Sequence, residues 1–242
     1  MAGVQKAPGR VPPAVRLLLG LALALQVGLR MAEPRPTASA ADLPAPPSVP
    51  ALRTVALGEP IGLAQVLTLY LQAFDTQPGI SVPFKDLDYH KLAGWLSAIL
   101  ALHPDGQYPL LLAAQVYAQV PDADKQRRML DLVYREFERD PQRRWRWLAH
   151  AAIVAKHRLH DLPLALRYAQ ALAERADHPS VPSWARQMHI FLLEDLGEYE
   201  AARILLGGLL ASGAITDPHE ALFLTERLNA LKNVEKSTLV PK

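Results

Sequence analysis

The chain has 242 residues, half of them apolar, and carries 26 Lys and Arg against 24 Asp and Glu for a formal charge of +2. That length and composition exclude a disordered chain, and the near-neutral balance gives no global nucleic-acid signature. The absence of cysteine excludes disulfides, thiolate metal sites and cysteine nucleophiles, a usage that suits an oxidising compartment.

The first element is an apolar run. Lys6, Arg10 and Arg16 precede "LLLGLALALQVGL", Leu17 to Leu29, the basic region and apolar core of an export signal. Ala14, Val15, Met31 and Ala32 lengthen it to a bilayer span if Arg16 and Arg30 reach the two interfaces. The small-residue pattern at Ala38 to Ala40 lies well beyond the apolar run, so residues 1–32 read as an uncleaved signal anchor in preference to a cleaved signal peptide. Basic residues ahead of the run keep the N-terminus cytoplasmic and export the remainder of the chain. In a bacterium this is a single-pass inner-membrane protein with its folded part in the periplasm. Residues 33–58 hold six prolines between Glu33 and Pro50 and few large apolar groups. They read as a Pro-rich linker that can hold a domain roughly 60 Å from the membrane.

From residue 59 the pattern turns helical. "EPIGLAQVLTLYLQAFD" places Leu63, Val66, Leu67, Tyr70, Leu71 and Phe74 on one face, with Pro60 in the first turn. "DLDYHKLAGWLSAILALHP" does the same with Leu92, Trp95, Leu96, Ile99 and Leu100. Further amphipathic helices are predicted at Tyr108–Gln119, Ala123–Arg139, Arg143–Arg158, Leu164–Arg175, Ser183–Leu196, Glu198–Ala211 and Pro218–Asn233. No alternating run of useful length occurs, so the fold class is all-α. Residues 234–242 read as a frayed tail.

A His-Pro or Asp-Pro dipeptide stands at 103–104, 140–141, 178–179 and 217–218, at intervals of 37, 38 and 39 residues. Proline cannot donate to a helix in progress and disfavours helical backbone in the residue before it, so each dipeptide separates helix pairs. Two helices per period of about 37 residues is the pattern of an α-solenoid, in which stacked neighbours complete a core that one hairpin cannot close.

"DLPLALRYAQALAER" (161–175) and "LGEYEAARILLGGLL" (196–210) resemble the second helix of the tetratricopeptide repeat, with Ala165, Ala169, Ala201 and Ala202 as its small packing residues. The motif's closing proline falls at Pro104, Pro141, Pro179 and Pro218, and the resemblance covers residues 59–233. It implies a right-handed solenoid of about four tetratricopeptide-like (TPR-like) pairs with a C-terminal capping helix. The period exceeds the usual one of that family by three to five residues, which shifts first-helix positions by one or two places. Anchor, linker and repeats together also resemble membrane-anchored proteins of Gram-negative bacteria.

Candidate chemistry is sparse. "RRWRW" (143–147) interleaves basic and aromatic residues, yet Trp147 falls where the repeat carries a buried large residue, and Trp145 matches Tyr108, each four places after its proline. The reading is packing first, partner contact second. His150, His157 and His160 have partial metal-ligand spacing, but Asp161 and Pro163 start a new helix, put His160 in a turn and leave no carboxylate to complete a site. Gly-x-Ser-x-Gly, His-Glu-x-x-His and Gly-rich phosphate loops are absent. The sequence therefore points to no catalytic residues, metal or cofactor, and to a non-enzymatic adaptor for envelope proteins. The family's usage implies an outward first-helix face at Tyr108, Gln115, Trp145, Lys156 and Arg186. Two alternatives stand beside it: a periplasmic glycan- or lipid-binding module, and self-association through the ends of the solenoid.

Overall fold

The computed structural model describes residues 12–32 and 40–238 and is predominantly helical. The basic residues Lys6 and Arg10, most of the small-residue pattern at 38–40 and the last four residues lie outside them. The described chain divides into two units. One contains α1 (Pro13–Ala32), whose described side chains are all exposed. Its Pro13–Met31 stretch, with mean hydropathy 1.6, is long and apolar enough to cross a membrane.

The other unit is the body. Its helices are α2 (Val49–Val55), α3 (Pro60–Ala73), α4 (Tyr89–Leu102), α5 (Tyr108–Leu111), α6 (Ala123–Arg139), α7 (Pro141–His157), α8 (Leu162–Arg175), α9 (Ser183–Asp195), α10 (Tyr199–Ala211) and α11 (Pro218–Thr238). Helix α5 runs on through a π-helical stretch, Leu112–Val116, and a 3-10 turn, Tyr117–Gln119. Two strands of two residues each, Thr76–Gln77 and Ile80–Ser81, are the only strands among the described residues.

Local chemistry explains the boundaries. The carboxylates of Asp88, Asp122, Asp140 and Asp161 each accept from backbone N–H groups in the first turn of the helix that comes next. Asp140 closes α6 as well as opening α7, and Pro141 takes the first position, where its missing N–H costs nothing. Asp217-Pro218 opens α11 in the same way, with Asp217 accepting from His219 at 2.9 Å. The other two dipeptides act differently. His103 caps the end of α4, and loops of several residues follow His103-Pro104 and His178-Pro179 before α5 and α9 begin. Helix α11 continues to Thr238, past the predicted end at Asn233.

From α6 to α11 each helix packs on the next in sequence, and α7 also touches the π-helical stretch before it and α9 after it. One apolar cluster extends from Leu43 to Leu192, and a second joins Ile190, Ala202, Leu206, Leu224 and Leu231. Ala151, Ala155, Ala165 and Ala169 are fully buried, so the α7 and α8 backbones can approach closely. Many of the hydrogen bonds between elements fall within a narrow range of separations. Arg144 to the Pro104 carbonyl, Trp147 to Gln107, Arg158 to the Gln119 carbonyl, Arg175 to Glu138, Gln187 to Glu220 and Arg227 to Glu194 all join residues 33 to 40 apart.

The predicted linker is the main correction. Residues 41–58 are part of the body. Leu43 is 2% exposed, the Ala41 N–H donates to Gln77 Oε1 at 2.7 Å, and Trp95 Nε1 donates to the Pro44 carbonyl at 2.8 Å. Ser48 caps the short helix α2, which buries Leu52 against the same core and packs on α4. A Cβ on Gly94 of α4 would stand 2.8 Å from Pro46 Cγ, so the glycine is what admits the proline ring. An extended Pro-rich segment loses little entropy on docking, and a few anchors hold it.

Two sets of substitutions test this packing. Gly94→Ala, a change that stabilises an ordinary helix interior, here destabilises by about 1–3 kcal/mol because the Pro46 ring must shift, and adding Pro46→Ala reverses the sign; chemical denaturation monitored by Trp fluorescence checks both. The second set concerns the corner of α6 and α7, where buried Arg144 donates to Glu136 Oε2 at 2.6 Å and to the Glu136 and Pro104 carbonyls at 2.7 Å. Arg144→Met strands the Glu136 carboxylate with only the exposed Arg139 and costs about 3 kcal/mol, while the pair Glu136→Gln/Arg144→Met recovers most of that loss in the same assay.

Candidate functional site

Helices α3, α5, α7 and α9 are joined side by side by polar and aromatic contacts, and together they leave one strip of exposed side chains. Gln72 Nε2 of α3 donates to the Tyr108 hydroxyl of α5 at 2.7 Å, and Trp147 of α7 donates to Gln107 just ahead of α5. Trp145 of α7 meets Trp184 of α9 edge to face, ring centres 5.8 Å apart, and Lys156 of α7 pairs with Asp195 of α9. Along α7, buried residues surround the helix except on the side of Arg146, Ile153 and His157, which stay exposed at seven- and four-residue spacing.

The predicted site residues fall into three groups. Tyr108 and Gln115, seven residues apart, are both exposed and share a face of their helix. Gln115 lies in the π-helical stretch, where the wider turn alters backbone pairing; the Ala114 carbonyl there accepts from the Gln119 side chain. Trp145 is half-buried against Trp184 and Lys156 is tied to Asp195, so both serve the α7–α9 junction and are not free contacts. Arg186 lies elsewhere. Trp184 and Asp195 point α9 toward α7, whereas Arg186, two residues on, lines a groove of about 300 Å³ with Ala173, His189, Ile190, Leu205 and Ile215. The five residues therefore do not form one surface. His150 and His157 lie in α7 and His160 in the turn after it, with φ 52°.

Sequence reasoning missed Ile153 and Trp184, 44% and 50% exposed, and the cavity at the other end of the strip. That cavity, about 450 Å³, is lined by Ala64, Gln65, Thr68, Gln72, Gln107 and Tyr108 among others. Trp184 stands five places after Pro179, one beyond the four-place spacing that Tyr108 and Trp145 keep from their prolines, so the spacing rule passed over it.

Chemically the strip offers amide groups, a phenol and aromatic faces with apolar surface between them. Such groups recognise a partner's backbone and apolar side chains. Among the described residues no three His, Asp or Glu are grouped to hold a metal ion. Comparison with models of protein families, with curated proteins and with solved structures finds no significant match to this chain.

Two partly buried histidines flank the strip. Burial pushes His150 below the usual 6.5, against an opposing contact with the Ala114 backbone. Burial does the same to His189, opposed by the Arg186 carbonyl, which its Nδ1 approaches at 2.8 Å, and by Glu174. The unfolded chain therefore binds protons more readily than the folded one below about pH 6.5, so stability is full above that pH and falls as pH drops through it. Carboxylates such as Asp161, held below 3.8 by the Leu164 N–H and Arg127, act only at lower pH. The thermal midpoint is expected to decline between about pH 7 and pH 5. The slope should become shallower in His150→Gln, and a flat profile over that interval contradicts the assignment.

Proposed function

We propose that this protein is a non-enzymatic scaffold that presents the strip on α3, α5, α7 and α9 to a protein partner. The observation that carries the reading is the recurrent 33 to 40 residue separation of its inter-element hydrogen bonds. With two helices in that interval, it supports a TPR-like α-solenoid whose first helices stand in a row. In such an arrangement the exposed side of the row receives an extended peptide or a helix. The exposed Tyr108, Gln115, Ile153 and Trp184 supply aromatic and amide contacts of the kind that dominate such interfaces.

Helix α1, apolar enough to span a bilayer, supports attachment to a membrane. With basic residues preceding it, the reading extends to a bacterial inner-membrane protein with its body in the periplasm and with envelope proteins as partners.

The test uses the full chain in its native membrane, with a photocrosslinking residue placed singly at Gln115, Ile153 or Trp184 and, as control, at exposed Arg135 on α6. Discrete adducts from the first three positions and none from Arg135 are expected. Equal labelling at all four, or none at any, refutes the strip as a binding face.

A further inference from the structure

The two ends of the body differ in what they expose. Helix α11, at the C-terminal end, exposes Leu222 and Phe223 but sets them among charged and polar side chains that also face solvent, Thr225, Glu226, Arg227, Asn229 and Lys232, while burying Leu224 and Leu231. Helix α3, at the other end, has no charged residue in its 14 positions. One side of it, with Ala64, Thr68 and Leu71, is buried against the core. The opposite side leaves Ile61, Val66, Leu69 and Tyr70 40 to 65% exposed, Gly62 and Ala73 add no charge to it, and Leu69 with Gln65 forms its border with the cavity of the strip. Just ahead, Val55 is 65% and Leu57 91% exposed. A terminal helix facing water needs a polar outer side, and large uncovered apolar patches mark contact surfaces.

The chain itself indicates what covers this one. Residues Val49–Val55 with Pro60–Asp75 are together apolar enough for a membrane span, yet a bend of 110° breaks them and the inner side of α3 is committed to the core. They cannot cross a bilayer, but they can lie on one. Because the body begins at Ala41, the chain connecting it to α1 is residues 33–40, which at full extension reach roughly 28 Å. A membrane that holds α1 is therefore within reach of the first helices of the body.

We infer that the exposed face of α2–α3 rests in the interfacial region of the lipid bilayer, so that the protein is held by a span and by a second, monotopic contact. The inference rests on the membrane attachment proposed above. The chemistry fits an interfacial helix: aliphatic side chains enter the boundary between headgroups and acyl chains, and Tyr70 and the exposed Arg53 suit its edge. Two weak attachments act together, since the first raises the effective concentration of the second.

The lack of native cysteine makes the test direct. Single-cysteine variants of the full chain, Leu23→Cys in α1, Leu57→Cys, Leu69→Cys and the control Gln115→Cys, are labelled with an environment-sensitive fluorophore and reconstituted into phosphatidylethanolamine–phosphatidylglycerol vesicles. Lipids bearing a nitroxide near the headgroup are expected to quench the Leu57 and Leu69 labels at least about threefold more than the Gln115 label, with the Leu23 label quenched by nitroxides deeper in the chains. Quenching at Leu23 alone overturns the interfacial contact and leaves the span standing. If no label is quenched, membrane attachment itself fails, and the inference with it. Disulfide-linked dimers of Leu69→Cys, combined with an unquenched label, overturn it in favour of a second copy of the chain.

Discussion

A helix with apolar residues on several sides must be covered on several sides, and α7 imposes this constraint on the whole body. Trp147, Leu148, Ala151, Ala152, Val154 and Ala155 are buried around it. No single partner can cover so wide an arc, so α6 and α8 pack beneath it while the preceding π-helical stretch and α9 flank it. What remains uncovered is the strip of Arg146, Ile153 and His157. The candidate binding face is thus the residue of a packing problem: it is the part of the first helices that their neighbours leave over.

Charge is used to hold this arrangement in register more than to strengthen it. Arg127 with Asp161, Arg175 with Glu138 and Lys156 with Asp195 are surface or half-exposed pairs of the kind that contribute little individually. Arg144 and Glu136 differ, being almost wholly buried. A buried pair of this type gains little over apolar replacements, but its loss on one side only is costly, and that asymmetry penalises any packing of α6 on α7 that separates them. The near-neutral net charge is consistent with this use, because opposite charges are paired between elements and not gathered into one field.

Legibility in the sequence followed the range of the forces involved. Helix positions from Pro60 onward were readable because aspartate caps, prolines and apolar periodicity act within a few residues; α6 appears at its predicted limits, Ala123–Arg139. The docking of residues 41–58 was not readable, since a Pro-rich composition looks the same whether a chain is free or held by Leu43, by the Trp95 indole and by a glycine placed 48 residues after Pro46. The site was half legible. Tyr108 and Gln115 share a face by spacing alone, whereas the pairing of Lys156 with Asp195 and the turn of Arg186 away from Trp184 depend on where α9 begins, and loop length controls that.

The docked segment changes what the apolar N-terminal helix means for the body. With a linker of some 25 residues, a membrane anchor would only localise the domain and leave it free to tumble. With residues 41–58 folded into the body, the connection shortens to residues 33–40, and of the first folded helices beyond it α3 carries no charge while α2 exposes a single one, Arg53. If α1 spans a membrane, a short tether and an apolar end would reinforce each other: the tether would raise the local concentration of bilayer at that end, and the inferred contact would remove much of the rotational freedom that the tether leaves. The strip on α3, α5, α7 and α9 would then be presented in a restricted set of directions, an arrangement that favours partners which are themselves held at the membrane.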